Sequence, residues 1–400
     1  MKKIILANAF LLLISLFTGC HGQVAETLPS ATNKIVGGGC DGCELMYVDM
    51  PKVIHSENNS PGWNEKGQKL IVTGTVYQID GRTPAPNVII YYWQADNNGL
   101  YSPSPGMNEK AKKHGHIRGW IKTDTKGKYT IKTIRPAPYP KQEMAAHIHL
   151  SIKEPDIKNE YYTDEINFDD DKLLIRHFKK YPQENRGGSG VVRVLLKDSL
   201  QIAEHNIILG LNIPNYPKKP SSGQHSGLNI GEDQPSFTPF HASGPDKGTK
   251  TCPVCKYGRY HGIIYFVGKH PKWDDIKKWL TFLEEESVKR RKYLKVYFVY
   301  GNDHSYNREE RKNHLVNLGK ELHIQNTALT FVPSFSDPET EANLNKINPD
   351  VENTFIIYKH RNIVDKFINL EPSSENFKLI INSMDRTRGL YFELPEPEYD

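Results

Sequence analysis

Two tyrosines and two histidines carry the most distinctive chemistry in this 400-residue chain. Tyr101 closes the segment Trp93-Gln94-Ala95-Asp96-Asn97-Asn98-Gly99-Leu100-Tyr101, and Tyr139 sits inside Arg135-Pro136-Ala137-Pro138-Tyr139-Pro140. His147 and His149 follow in Ala145-Ala146-His147-Ile148-His149-Leu150. Side chains alternate along a strand, so His147 and His149 face one way while Ile148 and Leu150 face the other. Two imidazoles on one face, with two phenols nearby, can hold a trivalent metal. Phenolate is a hard anionic donor that suits Fe(III), and imidazole suits iron too. Neither phenol ionises unaided at neutral pH, so the metal has to supply the charge that releases the proton. The chain has 21 Tyr and 16 His, and a His-x-His strand or a tyrosine beside prolines is also what ordinary packing produces.

The elements that would position these residues are short strands. Residues 65–214 hold runs rich in valine, isoleucine, threonine and tyrosine, separated by Asp-Gly and Lys-Gly pairs. Strands are expected at 70–77, 87–93, 118–123, 129–134, 146–152, 191–196 and 202–209. The pattern predicts a mainly β chain whose first folded domain is an antiparallel β-sandwich. Before it, residues 20–64 read as a tether and an entry segment. There Gly37-Gly38-Gly39-Cys40-Asp41-Gly42-Cys43 makes a tight turn and residues 44–48 dock onto the next domain. Residues 215–249, rich in proline, serine and glycine, read as a linker.

From 250 to 400 the texture changes. Strands at 262–267, 295–300 and 329–332 alternate with helices at 272–291 and 308–323, followed by a hairpin at 354–359 and 363–369 and a closing helix at 374–383. That order resembles the α/β thioredoxin-like fold.

Over roughly residues 70–168 the chain resembles the intradiol ring-cleavage dioxygenases of the catechol and protocatechuate type. The resemblance rests on Gly74-Thr75-Val76 leading to Asp80-Gly81-Arg82-Thr83-Pro84-Ala85-Pro86, on Tyr92-Trp93-Gln94-Ala95-Asp96, and on Gly119-Trp120-Ile121-Lys122-Thr123-Asp124. It continues through Gly127-Lys128-Tyr129, Thr133-Ile134-Arg135-Pro136 and the His-x-His strand. It implies Fe(III) held by Tyr101, Tyr139, His147 and His149, with a catechol-like aromatic and O2 as reactants. Two positions depart from the family. Met144 stands where an arginine is usual, and Glu165 stands where a glutamine is usual. Both changes remove help for a dianionic substrate, and Arg135, Lys141 and Arg118 are the cations that would have to substitute.

The N-terminus opens with Met1-Lys2-Lys3, an apolar run over residues 4–17, and Thr18-Gly19-Cys20. This reads as a signal peptide, 1–19, and resembles a bacterial lipobox with Cys20 lipidated, although Phe17 is an unusual residue three positions before the cysteine. The implied product is a lipoprotein anchored in the cell envelope without a transmembrane helix. A net charge of +5 with interspersed signs gives no argument for nucleic acid, and the oligomeric state is left open.

The remaining cysteines form two close pairs, Cys40/Cys43 and Cys252/Cys255. Export favours an in-pair disulfide in each over a shared zinc site. Cys252-Pro253-Val254-Cys255 also invites a thiol-redox reading. However, the pair precedes its strand, residues 256–262 do not read as a helix, and no proline precedes Thr354. Three functions therefore stand side by side: an Fe(III) intradiol dioxygenase, a non-catalytic iron or catecholate binder, and a thiol–disulfide protein.

Overall fold

Alternating apolar residues fold the stretch before residue 210 into two sheets. In the computed structural model the described residues are 34–40, 42–217, 224–304 and 306–398; the expected signal segment and Cys20 lie outside them. Among the described residues the strands are β1 (Glu57–Asn59), β2 (Lys69–Tyr77), β3 (Ile89–Gln94), β4 (Arg118–Lys122), β5 (Lys128–Ile134), β6 (His147–Lys153), β7 (Tyr161–Phe168), β8 (Val191–Val192), β9 (Val194–Lys197), β10 (Leu200–Glu204) and β11 (Ile207–Ile208). One sheet runs β1-β5-β2-β10-β9, with β11 also on β2; the other runs β4-β3-β6-β7-β8. The stretches expected at 191–196 and 202–209 are each broken into two strands, at Arg193 and at His205–Asn206.

One apolar cluster draws on both sheets. Leu70, Val72 and Ile131 come from the first, and Ile90, Tyr92, Ile148, Leu150 and Ile166 from the second. Each such side chain contributes roughly 1.5–3 kcal/mol by leaving water. That burial fixes the facing of β6, because a one-residue slip would turn Ile148 and Leu150 outward and His147 and His149 inward. The opposite face of β3 presents Tyr91 and Trp93, which pack against Met46. Met46 lies in a short 3-10 turn, Cys43–Tyr47, and its carbonyl accepts the Trp120 indole N–H at 2.6 Å. The helix α1 (Leu174–Lys180) follows β7.

The C-terminal part builds a third sheet, in the order β12-β15-β14-β13-β16-β17. Its strands are β12 (Phe240–Ser243), β13 (His261–Val267), β14 (Leu294–Gly301), β15 (Thr327–Val332), β16 (Thr354–Lys359) and β17 (Asn362–Ile368). Its helices are α2 (Pro253–Tyr257), α3 (Trp273–Arg290), α4 (Arg308–Glu321) and α5 (Ser374–Arg388). β13, β14 and β15 are parallel, whereas β16, β17 and β12 pair antiparallel. Every residue of β13 is buried, as expected of a central strand covered on both faces.

The N-terminal sheets, expected to be antiparallel, include parallel pairs, β1 on β5, β10 and β11 on β2, and β8 on β7, because these neighbours are joined by long connections rather than hairpins. Two further local features differ from the sequence reading. Phe240–Ser243, inside the stretch read as a linker, forms the edge strand on β15. Residues 253–257 form a short helix, with the Cys255 N–H bonded to Cys252 Sγ at 3.1 Å. Pro253 sits at its first turn, where the missing N–H costs nothing. Both cysteine pairs are disulfides, Cys40–Cys43 and Cys252–Cys255. No helix among the described residues is long and apolar enough to cross a membrane.

Candidate metal centre

Each of the four donors is delivered by a local device. β3 ends at Gln94, and the chain turns on Asp96, whose carboxylate accepts the N–H groups of Asn98 and Leu100 at 2.8 and 3.1 Å and the Ser102 hydroxyl at 2.7 Å. Gly99, at φ +78°, lets the turn press against the next loop; a Cβ there would stand 2.1 Å from the Pro138 carbonyl oxygen. That approach brings Tyr101 beside Tyr139. On β6, the Ile148↔Ile166 and Leu150↔Thr163 pairings leave His149 opposite two residues, Asp164 and Glu165. This β-bulge re-aims β7, and Glu165 Oε1 comes 3.5 Å from His149 Nδ1.

The four donor atoms converge. Tyr101 Oη lies 2.5 Å from Tyr139 Oη and 3.0 Å from His149 Nε2. Tyr139 Oη lies 3.0 Å from His147 Nε2 and 3.4 Å from His149 Nε2, and the two Nε2 atoms are 3.1 Å apart. His147 donates its Nδ1 proton to the Ala145 carbonyl at 2.7 Å, so its Nε2 carries a lone pair. The carboxylate of Glu165 favours a proton on His149 Nδ1 in the same way. Five contacts thus join these four atoms, and two phenol protons are too few to bridge them all. A cation among the four atoms removes the conflict, and a set of two phenol oxygens and two imidazole nitrogens fits Fe(III).

The electrostatics agree. Burial, then the neighbouring His149, pushes the His147 imidazole down to about 4, so it stays neutral. Burial, then Tyr139 and Glu165, pushes the Tyr101 phenol up, and burial first also raises Tyr139. Without a cation both phenols keep their protons; a cation beside the oxygens reverses that preference. Burial would raise Glu165, but hydrogen bonds from His149 and Tyr162 and the charge of His149 outweigh it and hold the carboxyl at about 2. The side chains of His149 and Glu165 are 20% and 29% exposed, so the centre opens to solvent. Among the described residues no group of three or more His, Cys, Asp and Glu side chains gathers as a metal site; the tyrosines complete this one.

Two of the three substitute cations are engaged by other carboxylates. Arg135 is held by Asp170 at 2.5 Å and lies over the Phe168 ring at 3.8 Å. Arg118 is held by Asp49 at 3.1 Å and by the Val48 carbonyl. Lys141 is exposed and Met144 half-buried.

Several supporting residues were not visible in the spacing of the sequence. His177 Nδ1 accepts the Ala145 N–H at 3.0 Å, and Asp171 accepts the Ala146 N–H at 2.7 Å, so the start of α1 holds the approach to β6. Trp93, opposite His149 in the ladder, stacks on its ring at 4.8 Å. His114 stacks on the other side of Trp93 at 4.2 Å. A histidine after a strand, 28 positions on from the His149 imidazole (177 − 149), carries no local signal. Trp93 belongs to a quoted motif, but its contact does not follow from it.

The region that carries this centre is dioxygenase-like in sequence: residues 46–186 match the family model described as Dioxygenase. Catechol 1,2-dioxygenase from Acinetobacter baylyi is 33% identical over 117 residues, 29% of this chain and 35% of that protein. Catechol 1,2-dioxygenase 2 from Acinetobacter lwoffii is 29% identical over 149 residues, 33% of this chain and 52% of that protein. The chain thus spans about half, or less, of the length of these curated relatives. Among solved structures, the dioxygenase domain of a dioxygenase and carbohydrate-binding protein fusion from Streptomyces sp. SirexAA-E shows 21% identity with a TM-score of 0.31, covering 39% of this chain and 87% of that one.

Proposed function

We propose that the chain holds Fe(III) in Tyr101, Tyr139, His147 and His149 and cleaves a catechol-like aromatic with O2 in the intradiol manner. The observation that carries this reading is the crowding of four donor atoms within 2.5–3.4 Å, with the two imidazole Nε2 atoms 3.1 Å apart. Bound iron would supply the Lewis acidity that makes a catecholate reactive toward O2. The protein's part is positional and protonic. The Ala145 carbonyl accepts the His147 Nδ1–H and the Glu165 carboxylate lies on the Nδ1 side of His149, which turns both Nε2 atoms toward the metal. The Oη atoms of Tyr101 and Tyr139 are the bases at hand for the two catechol protons. Trp93 walls one side of His149.

A second reading is a catecholate or iron binder without turnover. Met144 in place of a cation, and the carboxylate of Glu165 beside the donors, favour it, since both disfavour a dianionic substrate. The visible spectrum of iron-loaded protein, before and after catechol under air, separates the two. A tyrosinate charge-transfer band that shifts and then decays to a ring-opened diacid supports the dioxygenase. A band that shifts and persists leaves the binder, and no band under full iron loading overturns both.

We read the two N-terminal sheets as the sandwich of this family and the C-terminal sheet as a thioredoxin-like domain. The signal pattern and Cys20 favour an envelope lipoprotein, which incorporation of labelled fatty acid at Cys20 would test. A thiol–disulfide activity at Cys252–Cys255 is the least supported reading. Its helix is five residues long and Cys252 lies ahead of the central strand β13, outside the strand-to-helix turn that activates such thiols.

A further inference from the structure

The Cys40–Cys43 turn plays no part in the chemistry above, yet it lies against the ring stack behind His149. Gly42, at φ +88°, sits so close to His114 that a Cβ would stand 3.0 Å from its Nε2. The other ring nitrogen of His114 meets Tyr91 Oη at 2.8 Å. The His114 ring lies parallel to Trp93, 3° between planes and 4.2 Å between centroids. Trp93 in turn lies 15° from the plane of His149 at 4.8 Å. His149 Nε2 ends the series among the metal donors, 3.0 Å from Tyr101 Oη. The residues after Cys43 are tied to the same face, with Met46 fully buried against Tyr91 and Trp93.

We propose that the Cys40–Cys43 turn positions His149 through His114 and Trp93, and that reduction of this disulfide by a dithiol loosens the metal centre. The proposal rests on the four-donor reading of the site. In the step itself one thiol of the dithiol attacks Cys40 Sγ and the Cys40–Cys43 bond breaks, releasing the Cys43 thiolate. The second thiol then displaces Cys40. Two electrons and two protons pass to the protein, and the dithiol leaves as its own disulfide. Of the two cysteines Cys40 is the partly exposed residue, while Cys43 is 1% exposed, so attack falls on the Cys40 side. Once the bond is cut, no covalent tie fixes the turn at Gly42. The wall behind His114 becomes a loose glycine-rich segment, and the stack loses its outer support. His114 and Trp93 are positioning residues, since neither is among the four donors.

The test uses the full chain carrying Cys252→Ser and Cys255→Ser, so that a single disulfide titrates. Ga(III) serves as a redox-inert stand-in for Fe(III), because a dithiol would itself reduce iron. Oxidised protein is expected to take up Ga(III) at least about 10-fold more tightly than dithiol-reduced protein, the size typical of disturbing an outer-shell partner. Hydrogen exchange in metal-free protein should quicken over Ile89–Gln94 and His147–Lys153 on reduction. His114→Ala should lower Ga(III) affinity like reduction, and His114→Phe, which keeps a flat ring on Trp93, should restore most of it. A brace that matters only to global stability would instead lower the melting temperature of both variants alike. Equal Ga(III) affinity and equal exchange in the oxidised and reduced proteins would overturn the proposal. If neither form binds Ga(III), the four-donor reading fails, and the exchange measurement still decides the fate of the brace.

Discussion

The two N-terminal sheets and the C-terminal sheet both bury histidines and tyrosines, but among the described residues only the first region brings four of their polar atoms together. In the C-terminal part, His241 points its ring nitrogens at the Pro245 and Thr251 carbonyls, at 3.1 and 2.9 Å. His261 Nε2 is 3.0 Å from the Thr387 hydroxyl. Tyr265 stacks flat on Phe355 at 4.4 Å. Here each of these nitrogens meets a backbone carbonyl or a hydroxyl, and the Tyr265 ring is packed as an apolar body. Around His147 and His149 the Nδ1 sides meet a carbonyl and a carboxylate, and the two Nε2 atoms crowd together with two phenol oxygens. Residue type alone therefore does not mark a site; four side-chain polar atoms converging on one point do.

The sharpest way to break this contrast is to remove a donor. His147→Ala or His149→Ala should abolish bound Fe(III), a loss of at least about 100-fold in affinity, whereas His241→Ala should leave iron stoichiometry unchanged. Elemental analysis of protein reconstituted with Fe(III) decides; full iron in either donor variant removes the ligand assignment. Tyr101→Phe should keep some iron, with about 10-fold weaker binding, and shift the charge-transfer band. An unchanged visible spectrum would take Tyr101 out of the centre.

Gly99→Ala tests how the centre is assembled. The new methyl meets the Pro138 carbonyl in a backbone conformation that disfavours side chains, at a cost of about 1–3 kcal/mol. Denaturant unfolding should report that loss, with weaker iron binding beside it. Stability equal to the parent's would show that the two tyrosine loops are not locked together.

The smaller effect concerns protons. Burial, then the charges of Lys359, Arg290 and Arg388, pushes the His261 imidazole down to about 3. A histidine depressed in the fold leaves the unfolded chain binding the extra proton, so its contribution is full above about pH 6.5 and is lost as pH falls toward 3. Between pH 7.5 and pH 5 the parent should lose about 2 kcal/mol more than His261→Gln, read from urea midpoints. A parallel pH dependence of the two would show that His261 is solvated. Smallest of all, Cys252→Ser with Cys255→Ser should leave iron affinity and spectrum as they were, in contrast to changes at Cys40–Cys43.

Much of this arrangement was legible in the sequence. Alternation along 146–152 placed His147 and His149 on one face, and β6 presents them so because Ile148, Leu150 and Ile152 must reach the core. Strands and helices after residue 261 follow the expected order because each carries its own period and length. What could not be read are contacts made across strands. The bulge opposite His149 depends on β7 having one residue more than β6 between two pairings. The stack of His114 on Trp93 joins a 3-10 segment to a strand, and Asp171 and His177, before and within α1, reach Ala146 and Ala145 from another part of the chain. The short helix at Pro253–Tyr257 was missed because five residues are too few to show a period.

The bulge at Asp164 and Glu165 has a consequence for how such a chain can diverge. The pairings on either side of it, Ile148↔Ile166 and Leu150↔Thr163, are already in regular register. Loss of a single codon at either position would close the ladder while every core residue kept its facing. Elsewhere in β6 or β7 the same deletion would turn half a strand inside out. The carboxylate beside His149 thus sits at the one spot in this strand pair where an insertion or deletion is structurally cheap. Because both bulge residues are acidic, the ladder can shorten by one residue there while a carboxylate still faces His149.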